Sequence, residues 1–172
     1  MRTMMKVAGG VLALCAMTGQ SVAGGLCAKP DEAMALKTAA MQQELMVAAL
    51  YCNDVAPYNR FVVSHQHELQ DSDAALLSYF QHGHGGSTAY HAYKTALAND
   101  FSLTGLHGMQ SFCAAANTAF DSASSSRGSL AQFISLQSVR GTEAYPACDA
   151  MQASGGDVVA GGATRLAASR RN

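Results

Sequence analysis

The sequence predicts an all-α fold: a single-domain helical bundle of about five to six helices, with two disulfides. Three observations carry that expectation. Apolar residues recur at steps of three and four along most of the chain, no long stretch alternates with the strand period of two, and four cysteines remain once an N-terminal leader is set aside.

The leader comes first in the chain. Arg2 and Lys6 precede an apolar run from Val7 to Met17, and Ser21-Val22-Ala23 supplies the small residues that a signal peptidase reads. A signal peptide over residues 1–23 and a mature start at Gly24 are expected. The run is about half the roughly 20 residues needed to cross a bilayer, so the protein is not expected to be membrane-spanning. Cys15 and Cys27 each follow a leucine, whereas a lipid-anchoring cysteine wants a small residue there.

Residues 24–149 are expected to form the disulfide-bonded domain, and 150–172 a flexible Gly/Ala-rich tail. Removing Arg2 and Lys6 from the 11 basic residues leaves nine against 12 acidic ones, a net charge of −3. With no basic stripe, nucleic acid is not an expected partner.

The first helix opens at Pro30-Asp31-Glu32, where proline suits the first helical position and the acids suit the positive end of the helix dipole. Met34, Thr38, Met41, Leu45, Ala48 and Cys52 then trace one face, and Asn53-Asp54 stops it. A second helix is expected from Pro57 to Leu69, with Tyr58, Phe61, Val62, His65 and Leu69 on one side. Asp71-Ser72-Asp73 is expected to cap a short third helix carrying Leu76, Leu77, Tyr79 and Phe80. Three glycines in Gln81–Gly86 predict a loop, after which Ser87 or Thr88 restarts the chain. Tyr90, Tyr93, Leu97 and Phe101 mark the next helix, and Met109, Phe112, Cys113, Ala116 and Phe120 another. A polar turn over Ser122–Gly128 leads to a last helix with Leu130, Phe133, Ile134 and Gln137, ending near Gly141.

In an exported chain the even set Cys27, Cys52, Cys113 and Cys148 reads as two disulfides. Cys27 cannot reach Cys52. A helix over residues 31–52 spans about 30 Å, the four residues back to Cys27 recover at most about 14 Å, and a disulfide needs Cα atoms within about 7 Å. Two pairings remain. Cys113, near the start of its helix, belongs at the end of the bundle where the first helix finishes, which favours Cys52 with Cys113 and Cys27 with Cys148.

Candidate chemistry centres on two His-x-His pairs among six histidines. His65 and His67 would point about 200° apart on a helix, and His65 shares the apolar face of Phe61 and Leu69, which suits a hydrogen-bonded core histidine. His82-Gly83-His84 lies in a glycine-rich loop that can turn both rings toward one ion, and His91 follows. Zn, Cu or Ni would accept such ligands. Glu44, Glu68 and Asp54 are the carboxylates weighed for acid/base work, but no nucleophile elbow, phosphate loop, zinc-protease helix or dinucleotide fingerprint accompanies them.

The stretch from Leu36 to Leu50 (LKTAAMQQELMVAAL), with Tyr58-Asn59-Arg60-Phe61 and the later run from Tyr93 to Asn99 (YKTALAN), resembles small exported hypothetical proteins of alphaproteobacteria. The likeness covers roughly residues 27 to 120. It implies export and brings no activity, cofactor or catalytic residue.

The expected function is an exported, non-catalytic helical protein, a binding or structural module in the periplasm or secreted, with an unidentified protein partner in the cell envelope. Lys37, Gln42, Gln43, Arg60 and Lys94 form its candidate polar surface. The alternative is a periplasmic metal-binding protein using His82, His84 and His91, and a third reading is a hydrolase-type enzyme without a recognisable motif.

Overall fold

A computed structural model describes residues 27–125 and 128–148. The expected signal peptide, Cys15 and the tail from residue 150 lie outside the described residues. Six helices follow one another: α1 Pro30–Tyr51, α2 Val55–Ser64, α3 Gln66–Gln81, α4 Gly86–His107, α5 Met109–Ser125 and α6 Leu130–Ser135. Among the described residues there is no strand, only one parallel bridge between Ala28 and Ala147. No described helix is long and apolar enough to cross a membrane.

The architecture is an up-and-down bundle with α1 at its centre. α2 and α3 together run back along α1, as the Cys52 end of α1 lies beside α2 and Glu32 lies near Tyr79 of α3. α4 then runs parallel to α1. Tyr93 reaches Leu36, and a Cβ on Gly105 would touch Tyr51 at 3.3 Å. α5 returns along the bundle, and the extended strap over residues 136–148 brings the chain back to its start.

α1 begins where expected, at Pro30, and Glu32 accepts a hydrogen bond from the Lys29 backbone N–H at 2.8 Å. It ends at Tyr51, and Asn53 just beyond takes a left-handed φ of 53°. Its burial exceeds a single stripe: Leu36, Ala40, Leu45, Val47 and Ala49 are all buried, because α3, α4, α5, α2 and α6 pack around it. The alanines let those neighbours approach closely.

Both disulfides have the favoured pairing. Cys52–Cys113 and Cys27–Cys148 hold Cα atoms 5.8 Å and 4.8 Å apart. The second closes the strap onto the N-terminus beside backbone hydrogen bonds from Ala28 N–H to Pro146 and from Cys148 N–H to Ala28.

Three boundaries depart from the expected ones. The helix break falls at His65, and α3 runs straight through Asp71-Ser72-Asp73. Asp73 turns from a cap into a tertiary partner: it takes up Tyr90 and Lys94 from α4. α5 continues through Ser122 to Ser125, and α6 stops at Ser135, short of Gly141.

Candidate functional site

The strap and α4 enclose a groove of about 590 Å³. Its floor is a row of small residues on α4, Ala89, Ala92 and Ala96, with Tyr93 and Leu97; its other wall is Arg140, Gly141, Glu143, Ala144 and Tyr145. Small side chains at successive turns of one helix leave the hollow, and a strap with glycine at position 141 completes it. Gly141 has φ 88°, and a Cβ there would run into Leu97.

Beneath the groove lies an aromatic cluster. The Tyr145 ring meets Phe80, Tyr93 and Tyr79 edge-on at centroid distances of 5.5, 5.4 and 6.0 Å. Each such contact is worth roughly 0.5–1.5 kcal/mol beyond area burial, so the strap is seated by tyrosine rings as well as by Cys148. Tyr93 donates its hydroxyl to the Leu36 carbonyl at 3.2 Å, and burial pushes its phenol well above the usual range. It therefore serves as a neutral wall.

The rim is charged. Asp100 stands on α4, the Glu143 carboxylate accepts from the Gly141 N–H at 2.9 Å, and the Arg140 guanidinium sits 5.7 Å from the Phe101 ring centroid. Burial raises the pKa of Glu44, with Arg140 opposing that rise. Asp100, Arg140 and Glu143 are all exposed at this rim, so it carries two carboxylates against one guanidinium.

A second, polar trough flanks the opposite side of α4. Lys94 donates to Asp73 at 2.8 Å and to the Tyr90 hydroxyl at 3.1 Å, while Tyr90 donates to Asp73 at 2.8 Å. Burial works against the charge on Lys94, but the hydrogen bonds to Asp73 and Tyr90 outweigh it and raise its pKa. Gln42 and Gln43 of the expected polar set come to this trough with Lys94. Lys37 lines a separate hollow near Thr142, and Arg60 is exposed on α2.

The three candidate metal ligands are placed apart in their contacts. His82 is held by its own helix, its ring Nδ1 lying 2.7 Å from the Ser78 carbonyl. His84 stacks on Tyr79 with centroids 4.0 Å apart, and His91 meets Tyr90 edge-on at 5.0 Å. Among the described residues no group of three or more His, Cys, Asp or Glu side chains is placed to hold a metal ion.

His65 is the hydrogen-bonded core histidine expected of it. Only 8% exposed, it lies 3.0 Å from Glu68 Oε2, while Glu68 Oε1 accepts from the Leu130 N–H at 2.7 Å. Glu68 thus joins the α2–α3 break to the start of α6. The three weighed carboxylates have different surroundings: Glu68 has these two partners, Glu44 lies toward Arg140, and Asp54 is exposed between α1 and α2.

In comparisons with known proteins, no family model matches the chain, and neither a curated protein nor a solved structure matches it.

Proposed function

We propose that this protein is an exported, non-catalytic binding module whose groove between α4 and the 136–148 strap takes a ligand with an apolar body and a cationic group. The observation that carries the reading is the groove itself. Its volume falls in the range of small-molecule sites, roughly 300–1,000 Å³, and its few polar groups converge on a mostly apolar lining. Asp100 and Glu143 supply the complementary charge, and Tyr93 supplies shape without acid/base chemistry. Export is supported by two disulfides, which suit an oxidising compartment.

The test uses 1-naphthylmethylamine and 1-naphthoate, which share a ring and differ in charge, titrated into the isotope-labelled protein. The amine is expected to shift the amide signals of Ala92, Ala96 and Tyr93 and to bind about fivefold or more tighter than the naphthoate. Ala96→Trp fills the groove and abolishes those shifts; Asp100→Asn narrows the difference between the two probes. Leu50, Leu106 and Met109 expose apolar surface at the C-terminal end of α4, so Ala114→Trp on exposed α5 serves as control. Binding that survives Ala96→Trp would overturn the proposal. The export half is checked by the mass of the mature protein, expected to begin at Gly24.

A further inference from the structure

The groove between α4 and the strap matches a segment of the chain's own sequence. Arg140 lies over the Phe101 ring, Gly141 approaches Leu97 and Tyr145 meets Tyr93, so the strap runs against the direction of α4. It hands the chain on, through Cys148, toward the Ala89 end of the groove, where Cys27 fixes it beside the start of α1.

Residues 149–172 continue from that point and lie outside the described residues. After Val159 their one large apolar side chain is Leu166, set among Ala163, Ala167 and Ala168. Arg165, Arg170 and Arg171 flank it, and no acidic residue follows Asp157. The groove asks for that combination: its alanine floor on α4 admits an apolar side chain on a slender backbone, and its rim sets Asp100 and Glu143 against Arg140.

Reach is ample. From Ala89 to Asp100 the groove follows α4 for about 16 Å at 1.5 Å per residue, whereas the 18 residues from Cys148 to Leu166 can extend to about 60 Å. A tether of this kind holds its end at an effective concentration of the order of millimolar, so even a segment of millimolar affinity would fill about half of the groove at equilibrium. We propose that Leu166 and its flanking arginines dock in the groove as a tethered internal ligand, which an incoming amine must displace. The inference rests on the reading of this groove as a site for an apolar body with a cationic group, and it adds a control on that site.

The experiment uses the full disulfide-bonded mature chain with labelled methyl groups. Nuclear Overhauser contacts are expected between the Leu166 methyls and those of Ala92 and Ala96, and they should vanish in Ala96→Trp. Leu166→Asp should shift the amide signals of Ala92 and Ala96 and tighten 1-naphthylmethylamine binding about twofold or more. Replacing Arg165, Arg170 and Arg171 together with glutamine should act in the same direction, and Met151→Asp should change neither signal nor affinity. Absence of the methyl contacts, or groove signals and amine affinity unmoved by Leu166→Asp, would overturn the proposal while leaving the amine site standing. Contacts that fade on dilution would assign the segment to a second copy and overturn internal docking. Methyl contacts present in a chain whose Leu166→Asp variant binds no amine would instead remove the small-ligand reading and leave the docked segment.

Discussion

Replacing Glu68 with alanine removes one residue that holds three parts of the bundle. Its Oε1 accepts from the Leu130 N–H at 2.7 Å, the first residue of α6, and its Oε2 lies 3.0 Å from the His65 ring at the α2–α3 break. Loss of an N-terminal cap costs about 1 kcal/mol. Leaving the buried His65 nitrogen unpaired adds roughly 1–2 kcal/mol. The Glu68 side chain is itself 43% exposed, so its Coulombic attraction is screened and adds little. The total is about 2–3 kcal/mol, or a fall in Tm of roughly 10 °C for a domain of this size. Glu68→Gln keeps an acceptor oxygen and should lose about half as much. Helical circular dichroism during thermal and urea unfolding at pH 7 measures both. The hydrogen bond from His65 comes first among the causes that hold the Glu68 pKa below 4.5, so its folded value lies under its unfolded one. Its stabilisation is present above about pH 4.5 and is lost as pH falls through the folded value. The gap between wild type and Glu68→Gln should therefore narrow below pH 4.5. A Glu68→Ala protein within about 0.5 kcal/mol of wild type, or a gap independent of pH, would refute the cross-link.

Gly141→Ala places a methyl group against Leu97 at a φ of 88°, and should cost about 2 kcal/mol while weakening naphthylmethylamine binding in the groove. Tyr145→Ala removes edge-on contacts to Tyr79, Phe80 and Tyr93 and should lower stability by about 2–3 kcal/mol in urea titrations, with helix content retained. Breaking Cys52–Cys113 by a double alanine substitution opens a link of sequence separation 61 and should cost about 4 kcal/mol on the chain-entropy model, read as Tm without reductant. Burial raises the Glu44 pKa despite Arg140, so ionising it opposes folding as pH rises through that value. Glu44→Gln should accordingly raise Tm at pH 7 and have less effect at pH 4; a lower Tm at pH 7 would show that the Arg140 attraction dominates.

Residues close in the chain carried much of this architecture by themselves. The stripe from Met34 to Cys52, with proline and acids at its start, specified α1, because capping and a period of 3.6 are local properties. Helix length also excluded Cys27–Cys52, since a rigid rod holds its ends apart, and Cys52–Cys113 is the link the favoured pairing required. His65 was legible as a core histidine from its place among Phe61 and Leu69.

Where the chain meets itself at long range, the local pattern had no say. Asp73 looked like a helix cap, yet its stronger partners, Tyr90 and Lys94, lie on another helix. The break moved to His65, where Glu68 ties the junction to Leu130, a residue 62 positions later. Asp100, Arg140, Gly141 and Tyr145 carried no motif, and the groove they line exists only because the Cys27–Cys148 disulfide and the tyrosine cluster lay the strap along α4. Periodicity reports which face of a helix is buried; it contains nothing about which distant segment covers it, and that choice made the groove between α4 and the strap.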